Sequence, residues 1–143
     1  MTITITPYLL YADVDAALAF LARAFGFEEV LRHPGPDGRV NHAEARLGDD
    51  HVYLGDPSGA GHEYRNPATL GSPTVLVIVD GLEDVDALCE RAREAGAQIT
   101  EEPADQGYGE RRFGATDPEG HKWFFSQKIA DVEAADWGAT AAG

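Results

Sequence analysis

Asp13-Val14-Asp15-Ala16 is repeated as Asp84-Val85-Asp86-Ala87 in a chain of 143 residues. Each copy begins a helix-like segment that ends at a glycine, Gly26 or Gly96, and each follows a run of β-branched or aromatic residues. Further strand-like runs come after each helix. Self-similarity at a fixed spacing indicates two copies of one structural unit. The sequence therefore predicts the order βαβββ, twice.

The repeat divides one domain, 1–143, into module one (3–56), a connection (57–72), module two (73–128) and a C-terminal tail (129–143). The predicted strands are 3–11, 27–33, 39–47, 51–55, 73–79, 98–101, 111–116 and 122–127. The nearly continuous apolar run at 74–79 predicts a strand that is covered on both faces. In the tail, Trp137 either anchors the chain across a subunit boundary or frays with it.

The charge balance excludes some classes of partner. The chain has 25 acidic and 11 basic residues and a net charge of −14, which repels nucleic acids and anionic membranes. The same field attracts a cationic small molecule, although an acidic surface that serves solubility alone is the simpler interpretation. A hydrophobic content of 43% is sufficient for one compact core.

Cys89 is the only cysteine, so no intrachain disulfide and no multi-cysteine metal site can form. It falls on the apolar face of the second helix, which indicates a small core residue. The N-terminus lacks a basic region, and its longest apolar stretch, 8–27, is interrupted by charges. We therefore expect neither a signal peptide nor a membrane span, and a cytoplasmic protein.

The end of module two carries a family resemblance. An Asp117-Pro118-Glu119-Gly120 turn leads into the aromatic strand Lys122–Phe125, after a helix that ends in Ala95-Gly96-Ala97. With the opening stretch 7–27, this order resembles the glyoxalase-like branch of the vicinal oxygen chelate superfamily, which includes glyoxalase I, extradiol dioxygenases and bleomycin resistance proteins. The resemblance implies an α+β fold in which two βαβββ modules form a curved, mixed β-sheet cup with helices outside, often in a homodimer.

The resemblance also implies where a metal would bind. Metal-dependent members hold a divalent ion with His or Glu side chains from the first and last strands of each module. The matching positions here are Thr6, Tyr53, Thr74 and Phe124. A divalent cation needs several imidazole or carboxylate donors, which these residues do not provide. We therefore predict no metal and no cofactor, which argues against glyoxalase I or ring-cleaving dioxygenase chemistry.

His42 and Glu44 are two apart on one predicted strand and point to the same face. They are either two ligands or an acid–base pair facing the cup, or part of an exposed polar face that Arg46 continues. His51 on the next strand either joins them or is solvated beside its turn. His121 is expected to satisfy a carbonyl of its turn, and His33 and His62 to lie at loop edges.

Arg111 and Arg112 alternate on one strand, so one of them faces the cup, where it either clamps a carboxylate or neutralises Glu44. The alternative for both is pairing with surface acids. Trp123 and Phe125 are expected to pack under the second helix while Phe124 offers its ring to a ligand. Aromatic walls favour planar or cationic guests.

Two functional hypotheses result. The first is a metal-free small-molecule binding protein, a homodimer without a nucleic-acid partner, that sequesters an antibiotic or another aromatic or cationic metabolite. The second is a lyase, isomerase or dioxygenase with relocated metal ligands, or with His42 and Glu44 as acid–base catalysts. Whether the cup forms within one chain or between two stays open. The expected ligand-binding residues are Tyr8, Leu10, His42, Glu44, Tyr53, Thr74, Arg112 and Phe124.

Overall fold

The computed structural model describes residues 2–56, 67–73 and 75–143. Its strands are β1 (Tyr8–Leu10), β2 (Glu28–Pro34), β3 (Val40–Leu47), β4 (Asp50–Gly55), β5 (Leu76–Val79), β6 (Gln98–Asp105), β7 (Glu110–Thr116) and β8 (Lys122–Lys128). Its α-helices are α1 (Val14–Phe20), α2 (Pro67–Leu70) and α3 (Val85–Glu94). A π-helical segment, Leu21–Phe25, extends α1, and a 3-10 helix covers Ala134–Trp137. No helix among these residues is both long and apolar enough to cross a membrane.

The strands form two four-stranded sheets of matching topology, β1-β4-β3-β2 and β5-β8-β7-β6. In each sheet the first strand pairs in parallel with the last, and the other neighbours are antiparallel. This is the predicted α+β fold of two βαβββ modules.

Equivalent caps begin the two main helices. The Asp13 side chain accepts a hydrogen bond from Ala16 N at 3.0 Å, and the Asp84 side chain accepts one from Ala87 N at 3.0 Å. Such caps satisfy backbone donors that a helix start leaves free, which explains why the Asp-Val-Asp-Ala repeat marks both starts. Gly26 ends the first helical stretch with φ 83°, a left-handed conformation that glycine adopts readily.

Module one departs from its predicted boundaries in two places. Its helix does not stay α-helical as far as Phe25, since residues 21–25 are π-helical. Arg91 of α3 donates hydrogen bonds to the Ala22 and Arg23 carbonyls in this segment. Strand β1 covers only Tyr8–Leu10 instead of 3–11. It ends its pairing at Pro7, whose carbonyl accepts from Tyr53 N and whose ring nitrogen has no hydrogen to donate.

The prediction of a β5 strand covered on both faces is wrong. The strand starts at Leu76 and lies at the edge of its sheet. Its Leu76 and Ile78 side chains are 41% and 56% exposed, whereas Val77 between them is buried. One face of β5 therefore packs on the core, and the other is open in the single chain.

One hydrophobic core joins the two modules on the helix side of both sheets. Trp123 and Phe125 are fully buried there, as predicted, and their rings contact that of Phe25 in module one. Cys89 is also fully buried, and burial raises the pKa of its thiol, as expected for a core residue.

The Asp-Pro-Glu-Gly turn forms a buried polar joint between the modules. Asp117 accepts from Tyr11 Oη at 2.6 Å and from Trp123 Nε1 at 3.2 Å. His121 is 3% exposed, and its Nε2 donates to the Leu10 carbonyl at 2.6 Å. The carbonyl that His121 satisfies thus belongs to β1 and not, as predicted, to its own turn. Burial and the neighbouring Asp117 raise the pKa of Tyr11 well above its ordinary value.

The C-terminal tail folds back on its own chain. The Trp137 ring meets the Tyr108 ring edge-on, with centroids 5.9 Å apart, although Trp137 stays 52% exposed. The Gly109 carbonyl accepts hydrogen bonds from Ile129 N and Ala130 N at the start of the tail. The tail is therefore anchored beside the loop before β7.

Candidate ligand-binding faces

Four polar and aromatic side chains meet on the open side of the first sheet. We call this group, Tyr8, His42, Glu44 and Tyr53, the first face. Strand pairing places Tyr53 beside both Tyr8 and Glu44. Because alternate residues point to opposite sides, the neighbours Leu9, Ala43 and Leu54 are buried towards the helices instead.

A hydrogen-bonded chain runs across the first face. Tyr8 Oη lies 3.0 Å from His42 Nδ1, and His42 Nε2 lies 3.2 Å from Glu44 Oε2. The Tyr53 ring centroid is 5.5 Å from that of His42 and 6.2 Å from that of Tyr8. Because a carboxylate only accepts, we assign the His42 proton to Nε2, which leaves Nδ1 to accept from the Tyr8 hydroxyl.

Gly55 allows Tyr8 to take this position. A Cβ at Gly55 would lie 2.7 Å from Tyr8 Cε1, closer than real Cβ atoms approach. Glycine thus lets the Tyr8 ring lie across β4. Partial burial, and then the negative charge of Asp56, raise the pKa of Tyr8, so its hydroxyl stays protonated at neutral pH.

The second sheet carries a different group at the matching place. We call Arg112, Gly114, Lys122 and Phe124 the second face. The Phe124 ring lies across β7, and a Cβ at Gly114 would be 2.7 Å from Phe124 Cε1. The Arg112 guanidinium carbon is 4.1 Å from the Phe124 ring centroid, and Lys122 Nζ is 5.2 Å from it. These distances are within the range of cation–π contacts.

The structure separates the two adjacent arginines. Arg111 lies on the helix side, where it pairs with Asp86 at 2.9 Å and Asp105 at 2.9 Å. Arg112 lies on the open side, where its Nη1 donates to Tyr108 Oη at 2.9 Å. Arg111 therefore follows the surface-pairing alternative, and Arg112 is the arginine of the second face.

Two cavities are relevant to binding. The smaller, of about 230 Å³, is lined by Pro73, Val75, Leu76, Lys122 and Phe124 and therefore adjoins the second face. The larger, of about 480 Å³, runs between the start of β4 and β5, and its polar lining is Asp50, His51 and Asp80. It contains none of the eight predicted ligand-binding residues. We place the candidate site on the two faces, because the aromatic and charged side chains converge there.

The remaining candidate residues have different outcomes. Leu10 shares the orientation of Tyr8, but its side chain is only 6% exposed. Thr74 and His62 lie outside the described residues. His51 is exposed and paired in register with Arg46, and the His33 ring bonds to Asn41 at 3.1 Å. Sequence reasoning missed Gly55, Gly114, Tyr108 and Lys122, because only the strand register reveals which rings cross which glycines.

The residues present do not fit the metal site that the resemblance implies. Tyr53 and Phe124 present aromatic rings at two of the expected positions. Within residues 2–56, 67–73 and 75–143, no group of three His, Cys, Asp or Glu side chains is arranged to hold a metal ion. The imidazole and carboxylate of the first face, His42 and Glu44, are bonded to each other. Two donors fall short of the three or four that a zinc site uses.

Comparison with known proteins identifies the family. Residues 4–125 match the sequence model of the Glyoxalase/Bleomycin resistance protein/Dioxygenase superfamily. The chain belongs to this superfamily. Within it, an uncharacterized protein of Mycobacterium tuberculosis is 35% identical over 130 residues, which span 90% of this chain and 76% of that protein.

Two solved structures have the same fold. TioX from Micromonospora sp. ML1 is 30% identical, with a TM-score of 0.72, and the match covers 90% of this chain and 100% of TioX. TnmS3, an antibiotic binding protein from Streptomyces sp. CB03234, is 25% identical, with a TM-score of 0.64, covering 90% of this chain and 98% of TnmS3. Superfamily membership and fold thus agree with the predicted resemblance.

Proposed function

We propose that this member of the superfamily is a metal-independent binding protein that holds a small aromatic molecule, such as an antibiotic or another secondary metabolite. The observation that carries the proposal is the replacement of metal donors by aromatic rings. Each sheet presents a ring that lies across a glycine, Tyr8 over Gly55 and Phe124 over Gly114. An aromatic ring offers a planar guest a large apolar contact.

The second face supports the same proposal. Its 230 Å³ cavity has apolar walls and few polar groups, as small-molecule sites usually do. Similarity to TnmS3, an antibiotic binding protein, supports antibiotics as a ligand class to test first.

A thermal-shift screen of planar aromatic metabolites tests the proposal, since a ligand that binds only the folded state raises the melting temperature. Hits are then titrated by calorimetry and incubated with protein before product analysis. Stoichiometric binding without product supports a binding protein. Turnover of a hit that is lost in a His42→Gln variant would place an enzyme first.

The hydrogen bonds that link Tyr8, His42 and Glu44 favour one second candidate, a lyase or isomerase that moves a proton. Glu44 fixes the His42 tautomer, so His42 Nδ1 can accept the Tyr8 Oη proton as that hydroxyl takes a proton from a substrate atom. The raised pKa of Tyr8 keeps it a donor and opposes a role as tyrosinate base. Loss of turnover in Tyr8→Phe, with ligand binding retained, is the expected signature.

Metal independence gives a separate prediction. The purified protein should contain no stoichiometric divalent metal, and added zinc, nickel, manganese or iron should leave its melting temperature unchanged. A true site would stabilise the fold by mass action. Elemental analysis and thermal melts check this result. About one metal per chain, lost on changing His42, Glu44 or His121, would contradict it.

We also propose a homodimer. Exposed apolar side chains lie in the N-terminal segment and in or next to the edge strand β5: Ile3, Ile5, Val75, Leu76 and Ile78. A partner that covers this edge would bury apolar surface and pair free backbone groups. Light scattering at micromolar concentration should give twice the 15.4 kDa of one chain.

A matched pair of variants tests which surface forms the dimer. Leu76→Lys should shift the population towards monomer, because it places a charge at the β5 edge. Ile129→Lys should leave the dimer intact, because Ile129 is similarly exposed, at 45%, but lies in the tail. A wild-type monomer at every concentration would refute the proposed dimer.

A further inference from the structure

The two faces occupy equivalent places in the repeat but differ in charge. Pairing aligns Glu44 with Tyr53 and Tyr8 in the first sheet, and Gly114 with Phe124 and Ile78 in the second. Two residues before Glu44 and Gly114 stand His42 and Arg112. The second copy thus has no carboxylate where the first has Glu44, and it has a permanent cation where the first has a histidine.

The neighbours of Arg112 use only part of the hydrogen-bonding and ion-pairing capacity of its guanidinium. Its Nη2 is 3.5 Å from Glu101, a distance at which an ion pair between partly exposed groups contributes little. Its buried Nε has no hydrogen-bond partner in the described part of the chain. Arg111, one residue earlier, has two carboxylates at 2.9 Å. Since buried donors are normally satisfied, Arg112 has hydrogen-bonding capacity that the described residues do not use.

Lys122 adds a second positive charge to this face. Its Nζ donates to Thr100 Oγ1, and no carboxylate of the described residues lies within 4 Å of it. Lys122 also lines the 230 Å³ cavity together with Phe124. A guest in this cavity therefore meets an aromatic residue and a positive charge that no carboxylate of the described residues neutralises.

This arrangement selects against a cation on the Phe124 ring. The ring already interacts with Arg112 at 4.1 Å and with Lys122 at 5.2 Å, so a cationic guest would meet like charges there. The chain's net charge of −14 attracts cations only at long range. At physiological ionic strength, charges more than about 8 Å away are largely screened, so the two nearby cations decide the local preference.

We propose that the second face binds an aromatic anion, whose ring packs on Phe124 and whose carboxylate or other oxyanion is bound by Arg112 and Lys122. This inference rests on the proposed small-molecule binding function and names the chemical class of its ligand. Arginine suits the role because its planar guanidinium can donate to both oxygens of a carboxylate. The cavity accommodates a ring with its substituent, or the acidic end of a larger metabolite.

Three probes of nearly equal shape test the charge preference: naphthoate, its neutral amide naphthamide, and naphthylmethylammonium. Calorimetric titration of the full chain should give the tightest binding for naphthoate, by about 10- to 100-fold over naphthamide, as expected for a charge-assisted hydrogen bond. Arg112→Gln should reduce this ratio several-fold, with Lys122 keeping the rest of the preference, while naphthamide affinity stays nearly constant. Arg112→Lys should retain part of the preference.

Arg111→Gln is the matched control, because it removes the same charge one residue away on the helix side. It should keep the naphthoate preference. A naphthoate-to-amide ratio unchanged in Arg112→Gln, or tightest binding of the ammonium probe, would overturn the anion proposal and leave the binding function standing. Failure of all three probes to bind would overturn the anion proposal and count against the proposed function as well. Far-ultraviolet circular dichroism establishes that each variant is folded.

Discussion

Replacing Trp123 by alanine is expected to lower the free energy of unfolding by about 3–5 kcal/mol, the range for deletion of a large buried aromatic side chain. Trp123 is fully buried, and its ring centroid lies 5.3 Å from that of Phe25 and 5.6 Å from that of Phe27. The substitution removes the contact through which module two packs on module one and frees an Asp117 hydrogen bond. Denaturant titration followed by circular dichroism measures the loss.

Phe124→Ala is the matched comparison, because Phe124 is adjacent on β8 but lies on the open side of the sheet. It should weaken binding of an aromatic ligand more than it lowers stability. The two variants together separate the helix side from the ligand side of one strand. If both lose only stability, the binding role proposed for the open face is wrong.

The order of elements could be predicted because local signals and the repeat agree. Both helix starts carry an aspartate whose short side chain reaches the backbone N–H three residues later, so Asp13 and Asp84 mark their positions without tertiary information. Alternation along β8 likewise identified Trp123 and Phe125 as core and Phe124 as open, because a single buried side imposes a period of two.

The limits of β1 and the details of the faces depend on contacts that sequence patterns do not encode. Residues 3–6 alternate like a strand, but in β1 only Tyr8–Leu10 pair with β4. The orientation of Arg112 depends on where β7 begins, and alternation alone leaves two registers open. The roles of Gly55 and Gly114 require knowing which aromatic ring lies on the neighbouring strand. Such cross-strand relations arise from register, a tertiary property.

A second large effect is expected from Asp117→Ala. The Asp117 side chain is buried and accepts hydrogen bonds from Tyr11 Oη, Trp123 Nε1 and the backbone N–H groups of Glu119 and His121. Removing the acceptor leaves two buried side-chain donors unpaired, at about 1–3 kcal/mol each, so a loss of about 2–6 kcal/mol is expected at neutral pH. Tyr11→Phe removes one donor, and phenylalanine has no hydroxyl that could be left unpaired. It should therefore lower the free energy of unfolding by less than Asp117→Ala does. A double variant should lose less than the sum of the two, because both changes act on one hydrogen bond.

The pH dependence of stability gives an independent readout of this joint. Tyr11 has a raised pKa in the folded protein, chiefly because it is buried and secondly because Asp117 is close. Above a pH of about 10 an unfolded tyrosine loses its proton while the folded one keeps it, so the unfolded state binds fewer protons and stability falls as pH rises. The stability that Tyr11 contributes is complete below a pH of about 10 and is lost as pH rises towards its folded pKa.

The difference in unfolding free energy between the wild type and Tyr11→Phe should therefore shrink in alkali, by up to about 1.4 kcal/mol per pH unit. Tyr8 also titrates at raised pH, but it is present in both proteins and cancels in the difference. A constant difference between pH 8 and 11 would contradict a buried, neutral Tyr11 bonded to Asp117 and would remove the basis for the large Asp117→Ala effect.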